Sequence, residues 1–263
     1  MPRFARIPLL RRCTLLLLAL TVLTPAVVLA QDAAEVIHLA ERDRAALNAT
    51  GALGRYESAL ATSPAAYDLL WRAARESTDL GEAASDATSR TGYYKKAEAY
   101  ARRAVAANTG GADGHFMLAV ALGRTALSLG SRDRVRYAGE IRSEALAAVK
   151  IEPTHAGALH VLGVWNAEIM RLSSFTRFAA RNFLGGKVFD QASWAEAARY
   201  MEAAVAADPE RITHRLDLAK IYAETDQKPK ARATCDAVSR MKNFEFNDAR
   251  YKQECAQLLV KWR

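Results

Sequence analysis

The sequence SWAEAARYMEAAVAADP, at Ser193–Pro209, decides the fold of this chain. Ala197, Met201 and Ala204 are separated by four and then three residues, so they share one face of a helix. Small residues on that face let a neighbouring helix approach closely, and Asp208-Pro209 then marks the turn into the next helix. The stretch therefore predicts one helix of a closely packed antiparallel pair.

The same spacing occurs three more times upstream. The matching sets are Ala52/Tyr56/Ala59/Pro64, Ala97/Ala101/Ala104/Thr109 and Ala145/Ala148/Pro153. The pattern is typical of the second half of a tetratricopeptide (TPR) repeat, a helix pair with a period of about 34 residues. We therefore predict an all-α, TPR-like solenoid of antiparallel helix pairs, with eleven to thirteen helices in five pairs and no sheet.

One repeat is too long for this period. Pro153 and Pro209 lie 56 residues apart, and the excess falls between Arg171 and Gln191. Phenylalanines in that segment, followed by Gly185-Gly186, predict an inserted helix around 172–192.

Local signals set the other boundaries. Ser63-Pro64 predicts an N-cap followed by proline at the first helical position, and Glu152-Pro153 and Asp208-Pro209 each predict the start of a further helix. The polar segment Asp79–Gly92 predicts a loop. A last helix, Asp248–Lys261, would cover the apolar end of the stack.

The N-terminus resembles an export signal. Four arginines precede the apolar run Thr14–Leu23, and Val28-Leu29-Ala30 offers a cleavage site. This predicts a signal peptide over 1–30, a TPR-like domain over 31–263 and no stable membrane span after cleavage. An uncleaved membrane anchor is the alternative, although the uncharged stretch Cys13–Ala30 contains Pro25 and is short for a span of about 20 residues.

Charge and motifs exclude several function classes. The formal net charge of the chain is +8, and four of the positive charges are arginines of the leader. The rest of the chain has only a small excess of positive charge, scattered among acidic residues, which does not indicate a nucleic-acid-binding surface. Hydrolase, zinc-protease and dinucleotide-binding motifs are absent, and His155 and His160 lie on different helix faces. We expect no cofactor, no metal and no enzymatic activity. The alternatives are an accessory or cryptic hydrolytic enzyme with a pocket at the 165–194 insertion, or a structural oligomer scaffold.

A TPR stack turns the first helix of each pair toward a concave groove. Helical phase places eight residues on that surface: Trp71, Arg75, Phe116, Arg124, His160, Glu168, Lys220 and Glu224. Mixed aromatic and charged side chains suit a peptide or an amphipathic helix. The alternative is that Trp71 and Phe116 are core residues at irregular junctions.

A second set of residues borders the insertion: Trp165, Glu168, Arg171, Ser173 and Arg177. One helical turn places Glu168 beside Arg171. A buried ion pair that pins the insertion is the favoured interpretation, because a charge inside a helical stack must be paired. Ligand binding is the alternative.

Two cysteines follow the leader, Cys235 and Cys255. If the last two helices are antiparallel about a turn near residues 243–246, these cysteines lie opposite one another on apolar faces. We predict a disulfide, with two free core cysteines as the alternative.

Several segments together resemble one known family. They are Gly163–Ile169 with Leu172-Ser173, then Arg177, Gly185-Gly186, Trp194–Ala197 and Leu216–Tyr222. Over most of 50–240 the chain resembles the helical-repeat domain of the regulator of microtubule dynamics family, including its bacterial members. The resemblance implies an all-α TPR-like fold and a binding role; eukaryotic members associate with microtubules or organelle contacts. The export signal instead suggests the bacterial periplasm, so we expect a protein or peptide partner in the cell envelope.

Cleavage of the leader can be tested directly. The small residues before Gln31 predict that the mature protein begins there. N-terminal sequencing of the envelope fraction should find Gln31, whereas a chain that retains Met1 would indicate the uncleaved anchor.

Overall fold

A computed structural model describes residues 25–126, 131–183 and 186–262, and within these ranges the chain contains twelve α-helices, one 3₁₀ helix and no strand. The α-helices are α1 (Pro25–Ala45), α2 (Ala49–Leu60), α3 (Tyr67–Ala83), α4 (Ala87–Ala107), α5 (Ala112–Ala126), α6 (Ser131–Ile151), α7 (Ala156–Arg171), α8 (Ser174–Phe183), α9 (Trp194–Ala207), α10 (Ile212–Glu224), α11 (Lys228–Ser239) and α12 (Asp248–Lys261). The 3₁₀ helix is Gly186–Gln191. The predicted all-α, TPR-like fold is confirmed.

The helices form five antiparallel pairs and a terminal helix. The pairs are α1/α2, α3/α4, α5/α6, α7/α9 and α10/α11, and α12 packs on α10 and α11. The first helices α3, α5, α7 and α10 contact one another in sequence and form the inner layer. The predicted insertion is α8 with the 3₁₀ helix, between the two members of the fourth pair.

The small-residue pattern packs as expected. Ala197, Met201 and Ala204 are fully buried, as are the alanines of the corresponding set in α4. At the crossing of α7 and α9, a Cβ on Gly163 would lie 3.2 Å from the carbonyl oxygen of Ala197. A larger residue there would force the two helices apart, so the glycine sets their close approach.

The prolines occupy turns before the helices, and Pro64 is not the first helical residue that the sequence predicted. The helices after Ser63-Pro64, Glu152-Pro153 and Asp208-Pro209 begin three residues beyond each proline. The amide of Ala66 donates to the carbonyl of Ser63 at 3.1 Å, and that of His155 to Glu152 at 3.0 Å. Proline is therefore the second residue of a four-residue turn, where its fixed φ is favourable.

The predicted loop Asp79–Gly92 is mostly helical. Helix α3 continues to Ala83, and α4 begins at Ala87 with the carboxylate of Asp86 accepting from the amide of Ser89 at 2.8 Å. Two residues that suggested a loop have tertiary partners: Asp79 pairs with Arg44 at 2.8 Å, and Gly81 of α3 is buried beside the ring of Tyr94 of α4. The packing of α3 against α4 outweighs the weak helix propensity of the Gly, Ser, Thr and Asp residues in this segment.

The segment before α12 returns to the first repeat. Phe246 packs against the core of α1, α2 and α3, and the side-chain amide of Asn247 donates to the carbonyl of Asp79 at 3.2 Å. The carboxylate of Asp248 accepts from the amides of Phe244 and Glu245, both at 2.8 Å, which fixes the shape of this segment. The two ends of the solenoid are therefore joined.

The leader remains a prediction. Its apolar run Thr14–Leu23 and cleavage-site side chains lie outside the described residues. Among the helices that the structure describes, none is long and apolar enough to cross a membrane.

The cysteine pair generates a stability prediction. The structure joins Cys235 and Cys255 through their sulfurs, with Cα atoms 5.3 Å apart and both residues buried. Closing a loop of this length contributes about 3 kcal/mol. Replacing both cysteines by alanine should lower the free energy of unfolding by about that amount, measured with denaturant. Titration of the unfolded, unreduced protein should find neither of these thiols, and two titratable thiols at these positions would refute the bridge.

Candidate functional site

The concave face is built from the first helices of successive pairs. Trp71, Phe116 and His160 are each the fifth residue of their helices α3, α5 and α7, so they occupy equivalent positions in three repeats. All three are half-buried. Repetition of the helix pair therefore creates a row of rings along the inner layer, which we call the ring row.

The ring row also belongs to the repeat junctions. Trp71 packs against two core clusters and is flanked by guanidinium groups, with Arg72 at 4.0 Å and Arg75 at 5.4 Å from its ring centroid. The ring of Phe116 lies 4.8 Å from that of His155. Trp71 and Phe116 thus contribute to core packing and keep one side accessible. They are core residues at repeat junctions and also part of the concave surface, so both interpretations of the sequence apply.

The cationic residues predicted on this face are all engaged with carboxylates. Arg75 pairs with Glu41 at 2.6 Å and Glu76 at 2.9 Å, and Arg124 pairs with Glu82. Their side chains are partly buried rather than free surface charges. Replacing them would therefore change the stability of the fold as well as any binding.

Helix α12 covers part of the concave face. Lys220 pairs with Glu254 of α12 at 2.8 Å, and Glu82 at the end of α3 pairs with Arg250 at 2.7 Å and accepts from the hydroxyl of Tyr251. Burial raises the pKa of Tyr251 to about 12, so its hydroxyl stays protonated. The predicted terminal helix thus caps the stack and also fills the groove beside the later turns of α3 and α10.

A half-buried polar cluster joins α7 to α10. Nε2 of His160 lies 2.9 Å from a carboxylate oxygen of Asp217, and Lys220 lies 3.1 Å from the other. Burial opposes ionisation of Asp217, but the hydrogen bond from His160 and the charge of Lys220 hold its pKa well below the usual range. Asp217 is therefore a fixed negative charge within the inner layer.

His214 completes this cluster and carries no charge. Its ring stacks on that of His160 with centroids 4.7 Å apart, and the residue is 2% exposed. Burial, reinforced by nearby His160 and Arg211, lowers its pKa to about 2. Sequence reasoning missed both His214 and Asp217; their spacing of three residues on α10 is the one signal that pointed to a shared face.

The residues bordering the insertion do not form a buried ion pair. Glu168 and Arg171 are in contact but exposed, and Arg171 also forms two hydrogen bonds with Glu224, both at 2.8 Å. A helix end at the surface leaves both side chains in water. This pair links α7 to α10 and does not hold α8.

Hydrogen bonds to helix ends hold the insertion instead. The hydroxyl of Ser173 accepts from the amide of Thr176 at 3.1 Å and caps α8, and Arg177 donates to the carbonyls of Met170 and Leu172 at the end of α7. Trp165 is buried and its indole donates to the carbonyl of Ala138 at 2.8 Å, so it joins α7 to α6. These roles are structural.

The described residues contain no group of three or more His, Cys, Asp or Glu side chains that could hold a metal ion. The hydroxyls nearest the insertion serve as helix caps: Ser173 for α8 and Ser193 for α9, where it accepts from the amide of Glu196 at 3.1 Å. Neither is paired with a histidine base. The concave face thus presents half-buried rings and paired charges.

Sequence comparison matches one family over nearly all of the described chain. The profile of regulator of microtubule dynamics protein 1-3 matches residues 33–263. Regulator of microtubule dynamics protein 1 from Bos taurus is 24% identical over 195 residues, which cover 73% of this chain and 61% of that protein. The same protein from Mus musculus is 24% identical over 196 residues, covering 73% and 63%. The chain spans about three-fifths of the length of these relatives.

Two solved structures share the fold. A thermophilic TPR protein from Thermus thermophilus, TTC0263, aligns with a TM-score of 0.63 and 18% identity, over 86% of this chain and 98% of that chain. Pseudomonas aeruginosa pilF aligns with a TM-score of 0.52 and 13% identity, over 89% and 90%. At these identities the likeness establishes the TPR architecture.

The buried histidine generates a pH prediction. An unfolded histidine binds a proton below about pH 6.5, whereas His214 in the fold does not until about pH 2. The unfolded state therefore binds the extra proton, and the free energy of unfolding falls as the pH drops below about 6.5. The parent protein should lose about 2 kcal/mol more than His214→Phe between pH 7 and pH 5, measured by urea unfolding.

His38 provides the control, because it is exposed on α1 and lies outside the cluster. His38→Gln should keep the pH dependence of the parent. Equal pH dependence in the parent and His214→Phe would show that His214 takes up a proton in the folded protein between pH 7 and pH 5, as it does in the unfolded chain.

Proposed function

The chain belongs to the regulator of microtubule dynamics protein 1-3 family, and we propose that it is an exported, non-enzymatic helical-repeat protein that binds a protein or peptide in the cell envelope. The name of the family describes its eukaryotic relatives, and this chain differs from that setting in its export-like N-terminus. Of the properties that the family resemblance implies, a binding role is the one that the surface of this chain supports.

The ring row carries the proposal. Three rings at equivalent positions, Trp71, Phe116 and His160, are combined with partly buried cations on the same layer. Half-buried rings offer apolar contact area that costs little conformational entropy on binding, and paired arginines orient polar groups of a ligand. A peptide or amphipathic helix laid along the inner layer would contact several repeats at once.

The way in which α12 is bound to the concave face favours a helical ligand. The later turns of α3 and α10 already hold this helix through Glu82, Lys220 and their partners on α12. The concave face is thus compatible with a helix that presents charges of both signs. The ring row lies on earlier turns of α3, α5 and α7 and remains the proposed site for a partner.

The disulfide supports export. Cys235 and Cys255 are joined in the fold, and such bridges persist in oxidising compartments such as the bacterial periplasm. Together with the arginine-rich leader, this favours the envelope as the place of action. A membrane anchor from an uncleaved leader would leave the repeat domain facing the same compartment.

Site-specific photo-crosslinking tests the proposed face. Gly123 follows Phe116 by two helical turns on α5, and a Cβ placed there would meet no atom within 4 Å. A benzoylphenylalanine at position 123 should therefore be tolerated and should cross-link the partner on irradiation in envelope extract.

Gly139 on the outer helix α6 is the matched control, because a Cβ there also meets no atom within 4 Å. We expect a discrete adduct from position 123 and none from position 139, with unchanged circular dichroism for both variants. An adduct from position 139 alone would place binding on the outer layer, and adducts from neither position would contradict a protein partner on the ring row.

A further inference from the structure

Helix α8 exposes two aromatic side chains on one side. Phe175 is 80% exposed and Phe178 60% exposed, and a separation of three residues places them next to each other. These are large apolar surfaces to leave in water, since burial of such a ring is strongly favourable. A pair of rings so exposed and adjacent indicates a binding surface rather than isolated surface residues.

The orientation of this helix is fixed by its opposite side. Ala180 is buried, and a Cβ on Gly186 of the 3₁₀ helix would lie 3.0 Å from its carbonyl oxygen. Arg177 ties α8 to the end of α7 through the carbonyls of Met170 and Leu172. The two phenylalanines therefore point away from the stack because the helix is packed on its other face.

The surroundings of the rings are cationic. No acidic residue occurs from Leu172 to Phe189, whereas Arg177, Arg181 and Lys187 do. The first carboxylate, Asp190, pairs with Arg181 at 3.3 Å. The 3₁₀ helix also contacts α6, whose first turns add Arg134 and Arg136. The insertion thus combines exposed rings with an excess of positive charge.

This combination fits an anionic membrane surface better than a protein. Two phenylalanines present about 150–250 Å² each, well below the roughly 800 Å² per partner of a stable protein interface. An interfacial helix needs only to insert its apolar side to a depth of about 5–10 Å, while cations meet the lipid phosphates. Clustered Lys and Arg beside such a helix increase attraction to anionic lipids.

We propose that α8 lies in the headgroup region of an anionic bilayer, with Phe175 and Phe178 inserted and with Arg181 and Lys187 at the lipid phosphates. The insertion then positions the repeat domain at a membrane surface. This role is independent of what the ring row binds.

The test places a fluorophore beside the rings in the full chain. Asn182 follows Phe178 by one turn and is exposed, so Asn182→Cys, in a Cys13→Ala background, carries an environment-sensitive NBD label on the same side. Vesicles of phosphatidylglycerol and phosphatidylcholine should shift its emission to the blue and raise its intensity severalfold. Salt of about 1 M, where the screening length falls to about 3 Å, should reverse most of this change.

Two controls separate α8 from the apolar leader. The same label at Ala106→Cys, on the exposed side of α4, should not respond even if the leader binds the vesicles. Adding Phe175→Ser and Phe178→Ser to the Asn182→Cys protein should abolish the response without altering its circular dichroism, because both rings are exposed.

Three results would overturn the proposal. They are no response at position 182, an equal response with pure phosphatidylcholine, and a response that persists after both serine substitutions. A label that ignores vesicles but responds to envelope proteins would assign the face of α8 to a protein partner instead.

Discussion

One buried guanidinium holds the two ends of the molecule together. Arg44, at the end of α1, donates to Glu76 and Asp79 of α3, both at 2.8 Å, and pairs with Glu245 in the segment before α12. Glu76 is fully buried, and burial raises its pKa against the opposing influence of Arg44. Its planar fork spreads the donors of Nη1 and Nη2 over three carboxylates, a geometry that the compact ammonium group of a lysine does not reproduce. Removing one partner of such a buried set costs about 3–5 kcal/mol, because the remaining charges are left unpaired.

Closure by Arg44 limits what the concave face can bind. An open TPR stack offers its whole inner surface, whereas here α12 and the segment that precedes it cover the later turns of α3 and α10. The earlier turns keep the ring row. Widening this surface would break the contacts that join the two ends, so the proposed ligand would meet a preformed row. Preorganisation of this kind lowers the entropy cost of binding.

The helix pairs were predictable from the sequence, whereas the contacts that join the two ends of the solenoid were not. The alanine spacing predicted the pairs, and the last helix was placed at Asp248–Lys261, where α12 is found. Hairpin geometry likewise put Cys235 opposite Cys255, since both partners lie in adjacent helices. By contrast, Arg44 and Glu245 are 201 residues apart, and no periodicity connects them. Glu168 and Arg171 were expected inside the stack because helical phase gives the direction of a side chain but not how far the neighbouring element extends.

The exposed side of the insertion is available for a separate function because it makes no contact that stabilises the stack. The polar groups of α7 beside the insertion are satisfied without α8: the side-chain oxygen of Asn166 accepts from the amide of Ser193 at 3.1 Å, and the indole of Trp165 donates to the carbonyl of Ala138 on α6. Ala180 and Phe189 supply the apolar contacts that attach the insertion to the core. Phe175 and Phe178 add nothing to either set, so folding does not account for them. A membrane surface that covers them accounts for their exposure beside cations, and this proposed attachment at α8 is separate from the proposed binding at the ring row.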